Sequence, residues 1–114
     1  LELTESLAGE KKFSLLGVLD ATVTAMGTRL LRERITRPLL DIDALDERLD
    51  QVEAFFGDGL LRADVRKLLR AVPDLERLTN RIIGGKASPR DLENTALVLE
   101  TVPELLEIIG RIVH

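Results

Sequence analysis

The sequence has no cysteine, no tryptophan and no tyrosine, and its single histidine is the last residue. Without cysteine there is no disulfide scaffold, no zinc finger, no thiol catalysis and no redox switch. A lone terminal histidine, His114, leaves no His cluster for a metal and no base for a serine nucleophile, so a catalytic triad is excluded within the chain. Aromatics are 3% of residues, which nearly removes base-stacking platforms and aromatic hot spots. No apolar run approaches the ~20 residues of a membrane helix, and no cationic-then-apolar leader opens the chain. The net charge of −4 opposes a purely electrostatic nucleic-acid binder.

What is present is a 114-residue chain of single-domain length, 45% apolar and 32% charged, the composition of a soluble globular protein. It starts Leu1-Glu2-Leu3-Thr4 without an initiator Met and stops inside an amphipathic run at Ile112-Val113-His114, so it is expected to be a piece of a longer polypeptide. Leu1–Thr4 alternates apolar and polar, which marks a possible short strand. After the polar stretch Ala8–Lys12, helical periodicity takes over.

Leu15, Leu16, Val18 and Leu19 predict one or two helical turns closed by Asp20 or Thr22. Thr24 is placed to cap a second helix reaching about Arg37, with Met26, Leu30 and Leu31 on its apolar side and Pro38 ending it. Arg34 and Arg37 fall across that apolar arc, so this helix is expected to be contacted on more than one side. Asp41 caps the next helix, whose Ile42, Leu45, Leu49, Val52 and Phe56 form a clean apolar stripe backed by Asp43, Asp46, Glu47, Asp50 and Glu53. Gly57-Asp58-Gly59 breaks it, and Asp58 caps a helix with Leu61, Val65, Leu68, Leu69 and Val72 on one face. Pro73 suits a first helical position ahead of Leu75, Leu78, Ile82 and Ile83, and Gly84-Gly85 ends that helix. Ser88-Pro89-Arg90-Asp91 carries a complete helix-start signal for a segment running to about Thr101. Pro103 and Glu104 then open a last helix. Val72-Pro73-Asp74-Leu75 and Val102-Pro103-Glu104-Leu105 echo each other, which two copies of helix-start chemistry explain better than a repeat array. The expected fold is all-α: about six helices in an antiparallel, bundle-like array, with a possible N-terminal strand.

No segment carries convincing catalytic chemistry. Gly84-Gly85-Lys86 lacks the phosphate-loop spacing, because Asn80 stands where the first glycine belongs and Ala87 follows the lysine, so these glycines read as a helix end. The acids between Asp41 and Asp58 are spread along a helix face, which solvates charge instead of converging it on a cation. Arg29, Arg32, Arg34 and Arg37, and separately Arg62, Arg66, Lys67 and Arg70, could touch phosphates, but acids interrupt both groups and no aromatics interleave them. Solvated or salt-bridged arginine is the plainer account. Catalytic, cofactor-binding and metal-binding residues are therefore expected to be absent, DNA-contacting residues are left unassigned, and His114 is given no role.

Leu15-Leu16-Gly17-Val18-Leu19-Asp20-Ala21-Thr22-Val23-Thr24-Ala25-Met26-Gly27-Thr28-Arg29-Leu30-Leu31-Arg32 resembles the core (lever) domain of the bacterial MutS DNA mismatch-repair ATPases. The likeness continues through Arg37–Ile42, Arg48–Glu53, Val72–Leu78 and Ala87–Leu92, and Leu1–Thr4 resembles that domain's opening. Gly59 follows Asp58 where such proteins often have Pro, and the last dozen residues match only in character.

The resemblance implies that residues 1–114 are the first part of the core domain, before a DNA-gripping clamp is inserted. The mismatch-reading, clamp and ATPase domains are then not in this chain: none of Phe13, Phe55 or Phe56 has Glu two residues on, as the family's mismatch wedge requires. The implied role is a non-catalytic lever coupling mismatched-DNA binding to ATP state. For the parent, the resemblance implies ATP and Mg, mismatched double-stranded DNA, the remaining MutS domains, a homodimer and a cytoplasmic location, with no membrane. Two other readings are a stand-alone helical interaction module and a relative acting in recombination. If later core helices cover these apolar faces in the parent, the piece alone exposes an apolar patch and is expected to self-associate.

Overall fold

In a computed structural model, residues 14–111 are described. They form six helices: α1 (Leu15–Leu19), α2 (Ala25–Thr36), α3 (Ile42–Gly57), α4 (Gly59–Arg70), α5 (Leu75–Ile83) and α6 (Pro89–Gly110). No strand occurs among the described residues, and the all-α class stands. The strand expected at Leu1–Thr4 lies outside them.

Most helix starts are set by one side-chain oxygen. Ser14 Oγ accepts from Gly17 N at 3.1 Å, Thr24 Oγ1 from Gly27 N at 2.9 Å, and Asp58 Oδ1 from Leu61 N at 3.0 Å. Each satisfies an amide that the first turn leaves without a helical partner. Asp41 does the same for α3, accepting from Asp43 N at 3.1 Å. Ser88 and Asp91 form the reciprocal capping box of α6.

Two prolines depart from expectation. Pro73 is not a first helical residue, because Asp74 takes the cap position of α5 and accepts from Arg77 N at 3.3 Å. Pro103 opens no new helix; α6 runs through it for 22 residues. Proline there removes only the N–H that would bond the Leu99 carbonyl, and both residues are exposed, so water can take the missing donor's place. The echo between the two Val-Pro segments is therefore not shared helix-start chemistry: one proline precedes a cap and the other lies inside a helix.

Contacts divide the chain into two compact units, between Arg48 and Leu49. In the first, α1 packs against α2, with Leu16 buried. Helix α2 itself has no buried residue, so the contact on several sides expected from its arginines is not met among the described residues. The Asp20–Thr28 corner between the two helices is held by polar groups. Asp20 Oδ1 accepts from Thr22 N at 3.0 Å and from the Thr22 hydroxyl at 2.5 Å, and that hydroxyl lies 2.6 Å from the Thr28 hydroxyl. These Thr22 bonds, the hydroxyl's first, hold the Asp20 carboxyl below its ordinary pKa. A Cβ at Gly27 would stand 3.0 Å from Thr24 Oγ1, so a larger residue there would press on the capping hydroxyl of α2.

In the second unit α6 is the common support, packing against both α4 and α5. Val65, Leu78 and Val98 are its buried apolar residues, one from each of the three helices. Thr101, also buried, donates to the Leu97 carbonyl at 2.8 Å and so brings no unpaired hydroxyl into the core.

Candidate functional site

The α5–α6 reversal is closed by both backbone and side-chain hydrogen bonds. Gly84 caps α5 and Gly85 follows at φ +69°, a left-handed conformation suited to glycine. Lys86 N then reaches back to the Arg81 carbonyl at 2.9 Å, and Gly85 N to the Ile82 carbonyl at 3.1 Å. The amides of Gly84, Gly85 and Lys86 are all occupied in closing the helix, so this segment forms no phosphate cradle.

Arg81 and Asp91 clasp the reversal from either side. Arg81 Nε donates to Asp91 Oδ2 at 2.7 Å, and Arg81 Nη2 to the Lys86 carbonyl at 3.2 Å. The same Asp91 oxygen accepts from Ser88 N at 2.9 Å. That backbone bond first, then Arg81, holds the Asp91 carboxyl below its ordinary pKa. Beside the clasp is a cavity of about 340 Å³ lined by Pro73, Asp74, Arg77, Leu78, Arg81, Asp91 and Asn94. The pair is not obvious from sequence; the available signal is a cation in the last turn of one helix and an acid in the first turn of the next, flanking paired glycines.

The two basic segments behave differently. Arg29, Arg32, Arg34 and Arg37 lie exposed on or at the end of α2 and are spread around it, with no shared row. On α4, by contrast, Arg62, Arg66 and Arg70 stand at i, i+4 and i+8 and line one open groove of about 280 Å³ with Gly59 and Ala63. Lys67 faces a different groove, alongside Asp64, Leu68, Glu104 and Ile108. Arg62 is held in place: its Nη1 donates to the Phe55 carbonyl at 2.9 Å and the Phe56 carbonyl at 3.2 Å, satisfying the end of α3.

The acids Asp43, Asp46, Glu47, Asp50 and Glu53 are exposed along α3. Among the described residues no group of three His, Asp or Glu side chains could hold a metal ion. The apolar stripe of α3 is exposed as well: Ile42, Leu49, Val52 and Phe56 each show more than half of their surface, Phe56 81%. No described helix is long and apolar enough to cross a membrane. His114 lies outside the described residues.

Residues 1–112 match the family described as MutS domain III. The chain is 57% identical over 106 residues to the DNA mismatch repair protein MutS of Brevibacillus brevis, covering 92% of this chain and 12% of that protein. It is 48% identical over 112 residues to the MutS of a Roseiflexus species, covering 96% of this chain and 10% of the relative. With the MutS of Zymomonas mobilis it shares 46% identity over 122 aligned positions, 96% of this chain and 14% of the relative. The chain thus spans roughly a tenth of the length of the relatives it matches. No solved structure matches it. A family match across nearly every residue, together with relatives this similar over most of the chain, shows that the chain belongs to the MutS domain III family.

Proposed function

We propose that residues 1–114 form the first part of the core (lever) domain of a DNA mismatch-repair ATPase, where they serve as a non-catalytic element coupling mismatched-DNA binding to ATP state. The observation that carries this reading is α6. It runs about 33 Å without a break in its helical course. It also holds α4 and α5 against its sides through Val65, Leu78 and Val98. Packed helices shift as units, so displacement at one end of such an element moves what is attached to it.

The chemistry of the parent is proposed to lie elsewhere in it. ATP and Mg do not fit the residues described: the Gly84–Lys86 amides close a helix, and the α3 carboxylates are strung along an exposed face. No step of nucleotide hydrolysis is assigned to this chain. In the parent we place mismatched double-stranded DNA, the remaining MutS domains, a second identical subunit and a cytoplasmic setting. The open α3 stripe supports self-association of the chain when isolated. A stand-alone interaction module would use that same stripe, but relatives many times longer than this chain favour the lever.

The test is made in the full-length protein, with Val98→Ala. Residues along a coupling element alter coupling by about 0.5–2 kcal/mol, so mismatch-triggered nucleotide exchange is expected to slow by roughly 2–30-fold while mismatch binding persists. Unaltered exchange in a folded variant would rule out transmission through the α6 core.

A further inference from the structure

We infer that the Arg62–Arg66–Arg70 ridge of α4 is a contact surface for the phosphate backbone of duplex DNA, read without regard to sequence or mismatch. The inference rests on the proposal that the parent binds DNA, and adds a location that the family match does not assign.

The chain is acidic overall, yet α4 carries four cations against one acid. On a helix, positions 62, 66 and 70 form a row that runs alongside the apolar row of Leu61, Val65, Leu68 and Leu69. Val65 is buried where α4 packs on α6, and at the edge of that contact Arg62 and Arg70 are exposed and Arg66 half-buried. The groove along the ridge is lined by three guanidinium side chains, one glycine and one alanine, and by no carboxylate. Gly59 and Ala63 keep its floor low, so that a ligand backbone can come close to the helix.

Arg62 fixes one end of the ridge. Its Nη1 is bonded to the Phe55 and Phe56 carbonyls, and its Nη2 passes over Gly59, where a Cβ would stand 3.4 Å away. A guanidinium has five N–H donors, so this anchoring leaves donors for a ligand oxygen. Each step of four residues advances about 6 Å, and the ridge about 12 Å. A DNA strand presents a phosphate about every 3.4 Å along the duplex axis. Winding around the axis sets consecutive phosphates farther apart in space than that rise, so the ridge is long enough to meet two or three consecutive phosphates of one strand. Regular spacing of like charge suits a nucleic-acid backbone better than the irregular acids of a protein surface. With no base-edge reader and no aromatic on the ridge, such contacts would position DNA and carry no sequence information.

The test uses the full-length protein with Arg66→Ala/Arg70→Ala, leaving Arg62 to close α3. Binding to matched and mismatched duplexes is measured as a function of salt concentration. Each lost phosphate contact lowers the slope of log K against log salt by about 0.9, so a reduction of about 2 is expected, equal for both duplexes. Arg66→Lys/Arg70→Lys keeps both charges and should restore the slope. An unchanged slope in a folded Ala variant overturns the inference. So does a variant that instead loses a salt-sensitive contact with an acidic protein. Failure of the wild-type protein to bind mismatched DNA at all would sink the underlying functional reading, a result distinct from either.

Discussion

Helices α3 and α6 share a design on paper and differ in the folded chain. Both are long and amphipathic, with leucine and β-branched residues at helical spacing. In α6 the pattern is answered: α4 and α5 lie against it and Val98 retains 4% exposure. In α3 nothing is buried; Leu49 retains 63%. Even α6 is answered on one side only, since Leu92, Leu99 and Leu106, seven residues apart, remain exposed. An apolar stripe thus states that a helix requires a partner, and does not state that the partner is in the same piece of chain. A chain covering a tenth of its relatives' length holds only some of the partners.

The contrast can be broken by stability measurements on the chain itself. Leu78→Ala, in the core that α6 supports, is expected to cost about 2–4 kcal/mol in urea unfolding. Leu49→Ala on α3 should stay within about 0.5 kcal/mol. Equal costs would mean that α3 is as well packed as α6. In the full-length protein the Leu49 cost should rise toward that of Leu78, once its partner is present.

A smaller effect sharpens the account of α6. Pro103→Ala returns an N–H to the Leu99 carbonyl and is expected to stabilise the chain by about 1–2 kcal/mol, with a gain in helical circular dichroism. A loss of stability would show that the proline ring packs against something its exposure does not reveal.

The smallest effect is a pH dependence at the start of α6. Asp91 is held below its ordinary pKa by the Ser88 amide and then by Arg81. A carboxyl depressed by folding stabilises the folded state above its unfolded value, and that contribution disappears as pH falls through the lowered one. Asp91→Asn should therefore flatten the acid side of the stability–pH curve. An acid limb identical to wild type would mean that the clasp adds nothing to folding.

The termini of the helices were legible because each is governed by local chemistry. Thr24, Asp41, Asp58 and Ser88 cap where their side chains can reach an amide two or three residues on, whereas Ser14 does the same for α1 without having been singled out. Pro73 and Pro103 were misleading, because proline is compatible with a helix start but does not require one. The packing was not legible. Arg62 closing α3 and Arg81 gripping Asp91 depend on how the chain turns at two glycine-containing breaks, which periodicity does not encode. The division between Arg48 and Leu49 falls within an unbroken helical pattern, with no composition change to mark it. Among the basic residues, Arg62, Arg66, Lys67 and Arg70 read as one group in sequence, whereas in the structure Lys67 lines a different groove from the other three.

The absent hydrogen bond at Pro103 also determines where α6 yields. Helices bend most readily where the backbone ladder lacks a rung. That point is braced from outside, because Glu104 and Ile108 beyond the proline share a groove with Asp64, Lys67 and Leu68 of α4. A load at the Gly110 end therefore reaches α4 as a sideways push instead of being lost in the bend.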